Sequence, residues 1–247
     1  MHQVGGLMGE WVRSVRVDES DLKDVPAELH PFGTPVESLG ILSSPLEFDK
    51  PVNRAQLENM IIKYSGNYDG VMMPGGYDHL IEPIQMIVAD QMKENPLFRH
   101  ARVEFTYRHN PTPQTPSRIV HADPSRTQNA VVEDYIYFLS NKQGTIAQAQ
   151  HVKKPEDTLN RMTPEEMVEQ GLMTQAKPYE MLKGRQSTFH TQGAAVYEGG
   201  RTFIRVIVTH PDIDYFRNLP ENEKAALPQD FREKHGIATA SRDFDLH

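Results

Sequence analysis

Polar and apolar positions alternate from residue 102 to 108: Arg102, Glu104, Thr106 and Arg108 fall on one side, Val103, Phe105 and Tyr107 on the other. Successive side chains of a strand point to opposite faces, so this stretch predicts a strand with one polar face. Residues 131–139, rich in β-branched and aromatic side chains, predict the strongest strand of the chain. Asn141, Lys142, Gln143 and Gly144 read as a hairpin turn, with 145–150 returning as a strand. Phe189 and His190 end another extended segment. A last strand is predicted over 201–209, after a Glu198-Gly199-Gly200 turn whose glycines are free to take positive φ.

The period changes elsewhere. Asn53 can cap a helix over 54–63, with Leu57, Met60 and Ile61 at helical spacing. Leu80, Ile81, Ile84, Ile87 and Val88 form the apolar stripe of a second helix over 79–93. The glycine-rich stretch between them lacks a following Gly-Lys-Ser/Thr and reads as a connector. Residues 1–50, punctuated by Pro26, Pro31, Pro35 and Pro45, read as an extended segment near 10–17 followed by loops that wrap the core. Residues 151–184 break the β pattern. Thr163-Pro164-Glu165-Glu166 is a helix start with a capping box, and the stretch reads as a helical insertion that either lids a site or lies on the surface. Beyond Thr209, residues 212–218 predict one or two helical turns, and the charged 220–247 reads as a tail or a closing segment. The expected organisation is one domain over 1–247. It has N-terminal loops and buttressing helices over 1–100, a β core over 101–210 and a C-terminal segment over 211–247.

Charge and composition narrow the function. The chain has 247 residues, a formal net charge of −8 and a mean hydropathy of −0.58. An acidic chain lacks the basic footprint of a nucleic-acid binder. It has no apolar run of about eighteen residues, so no membrane span is expected. No basic stretch followed by an apolar core opens the chain, so no secretory leader is expected. Cysteine is absent, which excludes disulfides, thiolate metal sites and cysteine nucleophiles. These features suit a cytoplasmic protein acting on a small molecule. They leave the oligomeric state open.

The chemistry gathers at a few positions. His121-Ala122-Asp123 ends a short apolar run, and a spacing of two on a strand puts His121 and Asp123 on one face. With the distant His190 they make two imidazoles and one carboxylate, the facial set that leaves positions open on a non-haem iron. Alternation on the last strand puts Arg201, Phe203, Arg205 and Ile207 on one face. Two arginines inside a core strand are costly unless an anion meets them. The bland alternatives are a strand-end His121 bonded to a nearby carboxylate, a solvent-facing arginine pair, and a solvent-facing row of Glu104, Thr106 and Arg108.

Taken together in this order, His121, Asp123, His190 and Arg201 resemble the Fe(II)/2-oxoglutarate-dependent dioxygenases, over roughly residues 100–210. That family carries His-x-Asp, a distal His and then an Arg. The resemblance implies a mainly β fold with flanking α-helices and a double-stranded β-helix (jelly-roll, cupin-like) core. It implies Fe(II) on His121, Asp123 and His190, with 2-oxoglutarate and O2 as cosubstrates. A carboxylate at Asp123 favours hydroxylation or desaturation over halogenation. Arg201 matches the family spacing for the residue that grips the far carboxylate of 2-oxoglutarate. Many members place a Ser two residues after that arginine, but here Phe203 and Ile207 follow Arg201 and Arg205, which keeps both arginines in contention. If Glu104 and Arg108 face the pocket, they can pair with an amine and a carboxylate, and the substrate is then a free or modified amino acid. Two other classes stay open: a jelly-roll metal- or sugar-binding protein without oxygenase activity, and a hydrolase using a metal-activated water.

Overall fold

A computed structural model describes residues 34–43, 60–63, 81–110, 120–122, 132–150, 162–192 and 201–239. Its larger sheet is built around the strand over Arg201–Thr209. In chain order the strands are β1 (Glu37–Ile41), β2 (Met60–Lys63), β3 (Arg102–Asn110), β4 (Tyr135–Ser140), β5 (Thr145–Gln148), β6 (Met173–Gln175), β7 (Glu180–Arg185), β8 (His190–Gln192) and β9 (Arg201–Thr209). The helices are α1 (Ile81–Glu94), α2 (Pro164–Glu169), α3 (Ile213–Arg217), α4 (Glu221–Ala225) and α5 (Gln229–His235).

The larger sheet runs β1-β7-β4-β9-β3-β2 and the smaller β6-β5-β8, every pairing antiparallel. A bridge between His121 and His190 adds a fourth line of chain to the smaller sheet. From β3 the chain passes to the smaller sheet at His121, to the larger at β4, to the smaller for β5 and β6, to the larger at β7, to the smaller at β8 and back at β9. This alternation is the double-stranded β-helix.

Register decides which side chains meet. Arg205 stands between Thr106 of β3 and Phe138 of β4, and Ile207 between Glu104 and Ile136. Directly opposed residues share a face. One face of the larger sheet therefore carries Ile136, Phe138, Arg201, Phe203, Arg205, Ile207 and Glu104. The opposite face carries Tyr135, Tyr137, Leu139, Ile204, Val206 and Val208, and packs on Ile84 and Ile87 of α1 together with Phe98. Burying each such side chain contributes roughly 1.5–3 kcal/mol. The first face looks at the smaller sheet, where Ile136, Phe138, Leu182 and Ile207 pack on Ala147 and Ala176.

A buried polar chain ties α1 to the back of the larger sheet. The Tyr137 hydroxyl donates to Asp90 at 2.6 Å and accepts from Gln91 Nε2 at 2.5 Å. Asn95 Nδ2 contacts Gln91 Oε1 at 2.6 Å and His210 Nε2 at 2.8 Å. Lys183 reaches Asp90 at 2.9 Å and also binds Glu94. Burial pulls the Lys183 ammonium pKa down, but the Glu94 and Asp90 carboxylates outweigh it and raise it overall. Burial lowers the His210 pKa to about 4, so the ring stays neutral.

Several expectations from sequence change here. Residues 60–63 form a strand where the pattern predicts a helix over 54–63; Met60 pairs with Phe105 and Lys63 with Arg102 along the edge of β3. A short apolar run fits either element, and the open edge of β3 selects the strand. The 141–144 turn is a corner, not a hairpin: β4 pairs with β7 and β9, whereas β5 pairs with β6 and β8. The described part of 151–184 holds one short helix and the strands β6 and β7. α2 carries the expected capping box at Thr163 and Glu166. Its buried Met167 packs with Ile146 and Met173, a cluster distinct from the one between the sheets, so α2 lies on the outer side of the smaller sheet and does not lid the inner face. β1, in the proline-punctuated region, pairs with β7. His190 opens its strand instead of closing one. Past Pro220 the chain folds as α4 and α5, and Leu227, Phe231 and Ile237 pack with Phe216 and Leu97. The extended segment expected near 10–17, the glycine-rich connector and the Gly199-Gly200 turn lie outside the described residues.

Candidate functional site

His121 and His190 sit side by side because their backbones close a two-bond bridge. His121 N–H donates to the His190 carbonyl at 3.0 Å, and His190 N–H to the His121 carbonyl at 2.8 Å. Directly opposed residues share a face, and the ring centroids are 4.5 Å apart at 53°. His190 is 7% exposed. Its Nδ1 lies 3.0 Å from the Thr188 carbonyl oxygen. A carbonyl can only accept, so Nδ1 carries the proton of this contact, which in a neutral imidazole leaves Nε2 as the lone-pair nitrogen. The Phe138 ring, 4.6 Å from the His190 ring, belongs to the larger sheet. The histidine pair therefore faces the space between the sheets, on the side of Arg205, which stands opposite Phe138.

Arg201 enters the same space nearer the β4–β5 corner. It is 4% exposed. Its Nε donates to Ser140 Oγ at 3.0 Å, and Nη2 lies 3.5 Å from Thr145 Oγ1. The guanidinium stands 5.0 Å from the centroid of the Phe203 ring. A Cβ added at Gly144 would lie 2.9 Å from Nη2 and 3.0 Å from Cζ. Only glycine leaves the guanidinium its place.

The other expected site residues are described only in part. Glu104 lies on the inner face opposite Ile207, and its Oε2 is 3.7 Å from Arg102 on the same strand. Arg108 is described by its backbone alone, paired with Phe203. Asp123 lies outside the described residues. Among the described residues no group of three or more His, Asp or Glu is placed to hold a metal ion. Two imidazoles on one face, one with its Nδ1 held by a backbone carbonyl, are a donor set that suits two positions of a first-row metal. In sequence, the expected carboxylate Asp123 follows His121 by two residues.

Sequence reasoning missed Ser140, Thr145, Gly144 and Phe138. The hydroxyls near Arg201 come from β4 and β5, not from the position two residues after the arginine. The signal was Ser140 and Gly144-Thr145 flanking a turn. Its meaning depends on a strand switch between sheets that local sequence does not encode.

Behind His190, the turn between β7 and β8 is held on several sides. Ser187 N–H donates to Glu133 Oε1 at 2.6 Å, and Gln186 N–H to the Asp134 carbonyl at 2.9 Å. Burial raises the Glu133 pKa, and the Ser187 contacts and Arg185 oppose that rise. Phe189 N–H reaches Gln148 Oε1 at 3.3 Å.

No family model and no curated protein matches the chain. Among solved structures it is similar to a cupin protein from Bacteroides fragilis, at 11% identity and a TM-score of 0.25, covering 44% of this chain and 66% of the other. It is also similar to a Pseudomonas putida prolyl-4-hydroxylase, at 10% identity and a TM-score of 0.38, covering 72% of this chain and 93% of the other. Its likeness to EvdMO1, at 10% identity and a TM-score of 0.31, spans 43% of this chain and 26% of that one. The architecture is read from the strand order, and these likenesses add no activity to it. Among the described residues, no helix is long and apolar enough to cross a membrane.

Proposed function

We propose that the space between the sheets is the centre of a Fe(II)- and 2-oxoglutarate-dependent oxygenase that hydroxylates or desaturates a small molecule. The observation that carries this reading is a paired His121 and His190 facing the same inter-sheet space as the buried Arg201 guanidinium. His121, Asp123 and His190 hold the metal. Bound there, iron with 2-oxoglutarate and O2 supplies an oxidant for a C–H bond, with succinate and carbon dioxide as coproducts. Arg201 receives the far carboxylate of 2-oxoglutarate. The Ser140 and Thr145 hydroxyls and the Phe203 ring hold its guanidinium so that little freedom is lost on binding. Arg205, beside Phe138 and the histidine pair, holds an anionic group of the substrate. Glu104 and Arg108 meet an amine and a carboxylate, which makes the substrate a free or modified amino acid. A metal-dependent hydrolase, the alternative reading, does not need Arg201 or Arg205, whereas the oxygenase needs a cation for the far carboxylate of 2-oxoglutarate.

The test is succinate formation by the iron-loaded protein with a panel of amino acids, compared among the wild type, His121→Ala, Asp123→Ala and His190→Ala. The expected result is turnover in the wild type and none in the three variants. Near-normal turnover in any one of them would contradict the ligand assignment.

A further inference from the structure

The hydrogen bond that fixes the His190 ring comes from Thr188, and Thr188 is itself locked. It is fully buried. Its Oγ1 donates to the Thr34 carbonyl at 2.7 Å and accepts from Arg185 N–H at 2.8 Å, so one hydroxyl satisfies both groups. Its own N–H donates to the Arg185 carbonyl at 2.9 Å. Its side chain rests on Gly184: a Cβ added there would lie 2.7 Å from Thr188 Oγ1 and 3.1 Å from both Cβ and Cγ2. The Thr188 carbonyl then stands 3.0 Å from His190 Nδ1.

We infer that Thr188, seated on Gly184 and hooked to Thr34, is a positioning residue that sets the ring orientation and tautomer of His190 for a metal. The inference rests on the oxygenase reading only in that it takes His190 as a ligand. A metal-bound imidazole needs its other nitrogen held by an acceptor, and loss of such a partner typically costs about 10–100-fold in metal affinity. Here the acceptor is a backbone carbonyl, so its position depends on what anchors the residue. The Thr188 hydroxyl is that anchor. Removing it leaves the Arg185 N–H and the Thr34 carbonyl without their partner and frees the segment that carries the carbonyl.

Two measurements on the full chain test this. The first is Co(II) titration of the wild type, Thr188→Val, Thr188→Ser and Gly184→Ala, followed by the visible d–d bands. Thr188→Val and Gly184→Ala should weaken Co(II) binding by about 10–100-fold and shift the bands, while Thr188→Ser stays within about threefold of the wild type. The second reads the apo protein by NMR with 15N-labelled histidine, using His190→Gln for assignment. The His190 Nδ1 proton should be present and protected in the wild type and in Thr188→Ser, and lost to exchange in Thr188→Val. If Thr188→Val fails to fold, Gly184→Ala decides by the same two readouts. Wild-type affinity, bands and ring proton in the hydroxyl-free or Gly184 variant overturn the inference. A wild type that takes up no Co(II) contradicts the metal reading instead, and the apo ring proton still decides the role of Thr188.

Discussion

Arg201 and Gly144 are neighbours with no room between them: a Cβ at residue 144 would fall 2.9 Å from Arg201 Nη2. The contact joins the start of β9 to the corner that carries the chain from one sheet to the other. Gly144→Ala should displace the guanidinium and raise the 2-oxoglutarate requirement by about tenfold, equivalent to about 1.4 kcal/mol. Steady-state kinetics with 2-oxoglutarate as the varied substrate checks this. An unchanged requirement would show that the notch plays no part in cosubstrate binding.

Arg201 and Arg205 should separate in kinetics. Truncating a charge-assisted contact to a desolvated carboxylate costs about 2–5 kcal/mol, part of it the charge left behind. Arg201→Ala should therefore raise the 2-oxoglutarate requirement by roughly 30-fold or more at ~1.4 kcal/mol per decade. Arg205→Ala should chiefly raise the requirement for the oxidised substrate. The reverse pattern would exchange the two roles.

Parts of this arrangement were legible in the sequence. β9 matches its alternation end to end, α1 its apolar stripe, and α2 its Thr163–Glu166 capping box. These signals are local, so they survive without knowledge of neighbours. β7 was hidden, because Glu180–Arg185 contains a lysine and a glycine; it is a strand because it is paired on both sides, by β1 and β4. The buried Lys183 in it is met by Asp90 and Glu94 on a distant helix and, at 3.8 Å, by Glu37 of β1. The likeness of the 141–144 corner to a hairpin has the same origin. A turn sequence says that the chain reverses, not which sheet it rejoins. The histidines and arginines could be named from their order, but the meeting of Arg201 with Ser140 and Thr145 required the corner.

The buried phenol behind the sheet should carry measurable stability. Tyr137→Phe removes the donor to Asp90 and the acceptor for Gln91. Leaving such buried groups unsatisfied costs about 1–3 kcal/mol. Urea denaturation should show the midpoint falling with little change in slope. No loss of stability would mean that water replaces the hydroxyl without cost.

Stability should also fall on acidification through His210. Its pKa is held at about 4, against an ordinary value of 6.5, by burial first and then by Arg185 and His100. Between these values the unfolded chain binds the proton that the folded protein refuses, so stability declines as pH falls from 6.5 to about 4, by roughly 3 kcal/mol at most. Glu133, whose pKa is raised in the fold, acts in the opposite sense in acid. The difference between wild type and His210→Gln isolates the histidine, since the amide can still accept from Asn95. The wild type should lose more stability than the variant across that window, and parallel profiles would contradict a buried neutral His210.

The oxygenase reading itself is tested most directly by anaerobic titration of the Fe(II)-loaded protein with 2-oxoglutarate, followed in the visible. The predicted result is a charge-transfer band that grows to saturation in the wild type, needs far more 2-oxoglutarate in Arg201→Ala, and is absent in His190→Ala. Fe(II) binding without such a band at any 2-oxoglutarate concentration, or no Fe(II) binding at all, would contradict it.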